Sequence, residues 1–93
     1  MENDGKAYGI AEGRVVISKS GRDKGIMLVT LRIEGEYIYL TDGRQRPVEK
    51  PKKKKIMHIQ LTSHTIDLSQ FEKTGLKNSD IRTFLSSVSG RRQ

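Results

Sequence analysis

The chain has 93 residues, with 18 Lys+Arg against 11 Asp+Glu for a net charge of +7, 33% hydrophobic residues, no Cys and no Trp. That length allows one small domain with a modest core, and the missing cysteines exclude disulfide scaffolds and Cys-ligated zinc modules. The longest apolar run, Ile26-Met27-Leu28-Val29, is far short of the roughly 20 residues that span a bilayer, and the start Met1-Glu2-Asn3-Asp4 is unlike a signal peptide. The expectation is a soluble, cytoplasmic, basic chain with a polyanionic partner and no membrane association.

Residues 1–9 are polar and read as a flexible lead-in, with Tyr8 and the following Ile10 able to dock on the body. Arg14 to Ser18 is β-branched and strand-like. Ser20-Gly21-Arg22-Asp23-Lys24-Gly25 is a turn cluster, in which Gly25 suits a position of positive φ. Ile26 to Ile33 reads as a second strand, Glu34-Gly35-Glu36 as a hairpin turn, and Glu36 to Thr41 as a third strand. In that strand Tyr37 and Tyr39 share one face while Ile38 and Leu40 share the other. Beyond a basic stretch, Ile56 to Leu61 begins a fourth strand and Thr65 to Leu68 suggests a short fifth. The period then changes. Ile81, Phe84, Leu85 and Val88 fall at i, i+3, i+4 and i+7, which predicts a helix over about 78–89. Asn78 suits its N-cap, Asp80 its first turn and Gly90 its stop. The fold class is therefore mainly β: a small barrel of about five strands over 10–68, then a linker, C-terminal α-helix and basic tail over 69–93.

The charge is concentrated. Residues 1–46 net only +1, whereas 44–55 holds seven basic residues and a single acid, Glu49. Both prolines, Pro47 and Pro51, lie there. Proline fixes φ and lacks an N–H donor, so this segment reads as an extended loop or edge and not a central strand. Four consecutive lysines, Lys52 to Lys55, would each be desolvated without a partner if packed, so they are expected to face solvent or an anion.

The segment from Gly13 to Gly25, followed by Val29 and by Leu40-Thr41-Asp42-Gly43, resembles the KOW motif: a strand, a basic loop closing on a glycine, and a second strand. The longer spacing, the basic stretch and Gln60-Leu61-Thr62 are similar to ribosomal proteins of the fourteen-e type and to short bacterial KOW-domain proteins. The resemblance spans about residues 10–88. It implies an SH3-like barrel that binds RNA, in the ribosomal members ribosomal RNA. Lys19, Ser20, Gly21, Arg22, Lys24 and Gly25 would then form one phosphate-contacting loop. Arg44, Arg46, Lys50, Lys52, Lys53, Lys54 and Lys55 would add a second contact, which Glu49 weakens slightly. Replacing Lys52 to Lys55 by Gln is expected to weaken RNA binding without lowering the melting temperature.

Tyr37 and Tyr39 are either a stacking platform for bases or packing beneath the helix, and the shortage of aromatic residues favours packing. Arg14, Arg32, Arg44 and Arg46 can fork phosphates, although Arg32 can instead pair with Glu34 or Glu36. Catalytic patterns are weak. Gly21 to Gly25 lacks the Walker A spacing, His58 and His64 lack partners at metal-ligand spacing, and Ser63, His64 and Asp67 lie too close along the chain for a triad. The expectation is a monomeric, non-catalytic RNA-binding protein of translation, without metal, cofactor or small-molecule substrate. A protein-interaction module of a transcription or translation factor is the alternative.

Overall fold

A computed structural model describes residues 10–89. The lead-in 1–9, the proposed stop Gly90 and the tail Arg91-Arg92 lie outside these described residues. Five strands form one antiparallel sheet: β1 (Arg14–Ser18), β2 (Met27–Glu34), β3 (Tyr37–Thr41), β4 (Lys52–Lys55) and β5 (Ile59–Thr65). Their order is β4-β3-β2-β1-β5, so β4 and β5 are edges that do not pair with each other. A 3-10 turn, Ile56–His58, joins β4 to β5, and a second, Leu68–Phe71, precedes the helix α1 (Asn78–Ser89). The architecture is mainly β, an open and barrel-like sheet with a C-terminal helix.

Both faces of the sheet are buried near its centre. Val16, Leu28, Ile38 and Leu40 meet Ile10, Ile56 and Ile59 in an inner core. On the outer face Val15 and Val29 are covered by Ile81 and Leu85 of α1, with Ile66 alongside. Burial on both sides explains the continuous apolar runs Val15-Val16 and Leu28-Val29, where one-sided strands would alternate. Each such side chain contributes about 1.5–3 kcal/mol when fully buried. Ile10, placed next to the lead-in, closes the inner core at 3% exposure.

β2 carries the irregularity that decides what its far end presents. Thr30 pairs with Leu40 but Arg32 pairs with Tyr39, so Leu31 is an extra residue between two registers. A one-residue slip exchanges the faces of a strand. Without it Arg32 would follow Leu28 and Thr30 to the inner side; with it Arg32 stands beside Tyr39 on the outer face.

Of the two readings of the lysine run, extended loop or edge, the structure shows the edge: it is the strand β4, paired with β3 from Lys52–Leu40 to Lys55–Tyr37, and two other expectations change. Edge position agrees with the prolines, and charge on an edge strand discourages pairing with other chains. Thr65 to Leu68 is not a separate strand: β5 runs on to Thr65, and the carboxylate of Asp67 then accepts from the Ser69 amide to open the second 3-10 turn. Asn78 is not a cap for its own helix. Its Oδ1 accepts from the Val48 amide at 2.8 Å while Asp80 reaches back to the Lys77 amide at 3.0 Å.

Candidate nucleic-acid interface

In an antiparallel sheet the end of β1, the start of β2, the end of β3 and the start of β4 share one edge of the molecule. The 19–26 and 42–51 loops, far apart in the chain, therefore emerge side by side. Arg22 and Asp23 of the first and Asp42 and Arg46 of the second line a common cleft. Arg44 and Arg82 line the adjoining one with Gly25. Sequence reasoning had given Arg82 no role here. The fold brings it to the site through a 2.8 Å hydrogen bond from its guanidinium to the Gly43 carbonyl.

The first loop is pinned by its backbone. The Gly25 amide donates to the Ser18 carbonyl at 2.8 Å and the Lys19 amide to that of His58 at 2.8 Å. Gly21 and Gly25 adopt φ of +83° and +86°, a region that costs an L-residue about 1–2 kcal/mol. No atom lies within 4 Å of where a Gly25 Cβ would stand, so that turn offers bare backbone to an approaching group.

The second loop is shaped by Asp42, whose Oδ1 accepts from the Arg44 and Arg46 amides at 2.8 and 2.9 Å. The Thr41 hydroxyl donates to the Arg46 carbonyl at 2.6 Å. These bonds fix the backbone from which Arg44 and Arg46 project before any partner arrives, which lowers the ordering cost of binding. Asn78 secures the rest of the loop. Its amide group donates to Glu49, whose carboxyl this hydrogen bond holds below its usual range. Glu49 is thus occupied by the helix.

The lysine run divides by strand parity. Lys53 and Lys55 face outward with Tyr39 and Tyr37, while Lys52 and Lys54 share the inward parity of Leu40 and Ile38. Lys54 is only 8% exposed. Its ammonium donates to the Ser20 carbonyl at 3.0 Å and to Asp23 Oδ1 at 3.2 Å. The same Asp23 oxygen accepts from the Ser18 hydroxyl at 2.8 Å. Burial pushes the Asp23 carboxyl up, but the Ser18 hydroxyl and the Lys54 ammonium outweigh it, and the group lies below its ordinary value. A buried lysine here corrects the expectation that no member of the run can be packed. It has a partner, Asp23, supplied by the turn between β1 and β2. Lys54 therefore joins the two basic segments and is withdrawn from the exposed charge.

Among the described residues Lys19, Arg22, Lys24, Arg44, Arg46, Lys50, Lys52, Lys53 and Lys55 make no ion pair. Arg14 is used elsewhere, donating from Nε to the Thr62 carbonyl across the β1–β5 seam. Arg32 pairs with Glu34 at 2.9 Å, one of its two expected partners. Tyr37 and Tyr39 are not among the side chains packed beneath α1. They lie half-buried on the outer face.

No protein-family model and no curated protein matches this chain.

Among the described residues no three His, Cys, Asp or Glu side chains cluster as metal ligands, and no helix is long and apolar enough to cross a membrane. Asp67 is turned to the Ser69 amide and hydroxyl at the start of its 3-10 turn.

Proposed function

We propose that this protein is a non-catalytic RNA-binding module acting on ribosomal RNA or another folded RNA of translation, and so in the cytoplasm. The observation that carries the reading is the convergence of two rigid basic loops at one end of the sheet. Lys19, Arg22, Lys24, Arg44 and Arg46 stand there without ion pairs among the described residues, and Asp23, the acid nearest them in the first loop, is matched by Lys54. Cations carried on loops of fixed backbone neutralise phosphates and release counterions, and an A-form surface is met through its shape and backbone more than its base edges. The KOW-like arrangement of the Gly13 to Gly25 segment supports the same partner.

The test is binding of the full chain to a structured ribosomal RNA fragment across a salt series. Engagement of about five phosphates gives a slope of log affinity against log salt of roughly −3.5 to −4.5. Arg22→Gln with Arg44→Gln should lower that slope by about two contacts. Absence of RNA binding at low salt, or binding indifferent to salt and to these substitutions, would sink the reading.

A further inference from the structure

The outer surface of β2, β3 and β4, beyond the part covered by α1, carries a second group of side chains that the basic loops do not include. Two cross-strand rows lie next to each other there: Arg32, Tyr39 and Lys53 in one, Glu34, Tyr37 and Lys55 in the other. The Arg32 guanidinium sits 3.9 Å from the Tyr39 ring centre. The Lys53 ammonium sits diagonally over Tyr37 at 4.5 Å. The β2 irregularity is what aims Arg32 at this face, and Glu34 fixes the guanidinium from the side at 2.9 Å.

We propose that this face is a stacking site for unpaired bases of single-stranded RNA, with Tyr37 and the Arg32 guanidinium, backed by the Tyr39 ring, as the planes and Lys53 and Lys55 as the phosphate contacts. The inference rests on the RNA-binding reading above and extends it to a different surface and a different form of RNA. A guanidinium plane is itself a stacking surface for a base. Arg32 lies over the Tyr39 ring at 3.9 Å with its side chain 51% exposed, so its outer side is available. Lys53 is exposed and makes no ion pair among the described residues. Its ammonium can leave the Tyr37 ring for a phosphate, because an exposed cation–π contact is weaker than base–aromatic stacking. Tyrosines placed only for packing would lie beneath α1, where Val15 and Val29 are. Stacking on these planes is sequence-tolerant, since every base has a flat face.

The experiment compares a fluorescein-labelled single-stranded U12 oligonucleotide with a blunt RNA duplex by anisotropy, at one fixed salt concentration, on the full chain. Tyr37→Leu with Tyr39→Leu should weaken U12 binding about fivefold or more and leave duplex binding unchanged. Tyr37→Phe with Tyr39→Phe should stay within about twofold of the parent, because the rings remain. Arg32→Gln should also weaken U12 selectively, and as a half-exposed position it carries the test if the leucine pair lowers the melting temperature. U12 affinity unchanged in Arg32→Gln and in a folded leucine pair overturns the stacking site, while duplex loss in Arg22→Gln/Arg44→Gln leaves the loop reading standing. U12 loss confined to the tyrosine and arginine variants, with loop variants silent on both RNAs, sustains this site and removes the loops. No binding of either RNA by the parent removes both.

Discussion

Lys54 Nζ lies 3.2 Å from Asp23 Oδ1, and the two residues are 31 positions apart in the chain. One belongs to the edge strand β4 and the other to the β1–β2 turn, so this ion pair ties the free edge of the sheet to the loop proposed to meet RNA. Both side chains are nearly enclosed, at 8% and 11% exposure. Asp23 Oδ2 is buried without a partner, so the first carboxylate oxygen accepts both Lys54 and Ser18.

Loss of one member of such a pair leaves an uncompensated charge, at a cost of about 3 kcal/mol. Lys54→Gln should therefore lower the melting temperature by about 10 °C or more, while Lys53→Gln with Lys55→Gln leaves it near the parent value. Replacing all four lysines then destabilises the fold, contrary to the expectation from sequence. Calorimetry of the two variants checks this, and equal melting temperatures would contradict the assigned roles.

The depressed Asp23 carboxyl predicts an acid limb. The folded protein gives up this proton more readily than the unfolded chain, where an aspartate titrates near about 3.9, so unfolding at low pH takes up a proton. Its contribution is complete above the unfolded value and is lost as pH falls through the folded one. Urea midpoints measured downward from about pH 5 should fall in the parent and fall less steeply in Asp23→Asn, with exposed Glu34 and Glu49 supplying the remainder.

Two glycines separate conformation from space. Gly25 needs only positive φ, and Gly25→Ala should cost about 1 kcal/mol. At Gly13, φ is +93° and an added Cβ would stand 2.1 Å from the Ile66 carbonyl oxygen. That backbone also bonds Thr30 and Ile66, at 2.8 and 2.9 Å. Gly13→Ala should cost about 3 kcal/mol or more, and denaturant titration of both variants reads the difference.

Asn78 fastens the proline-containing loop to α1. Asn78→Ala removes the acceptor for the Val48 amide and should cost about 1 kcal/mol. It should also speed hydrogen exchange at that amide selectively, leaving the amides of β1 and β2 protected. Uniform acceleration across the sheet would show instead that Asn78 supports the whole fold.

Three strands, the helix and its apolar stripe were legible because each rests on local chemistry: β-branched runs, glycine turns and a change of period. Tyr37 and Tyr39 opposite Ile38 and Leu40 followed from parity alone and hold in the structure. Their surroundings did not follow, because they depend on which strands flank β3 and on the extra residue at Leu31. β4 was legible only as an extended loop or edge, because a lysine run has no strand signature of its own.

Composition and charge placement by themselves determined a small, cysteine-free, basic, mainly β domain whose excess charge is concentrated over residues 44–55. What those charges do was decided only by tertiary structure. Pairing β4 to β3 assigns alternate lysines to opposite faces: Lys54 enters a buried pair, while Lys53 and Lys55 join the tyrosine face. The physical reason is that a charge can leave water only where a partner waits, and for Lys54 that partner lies in a turn 31 residues away.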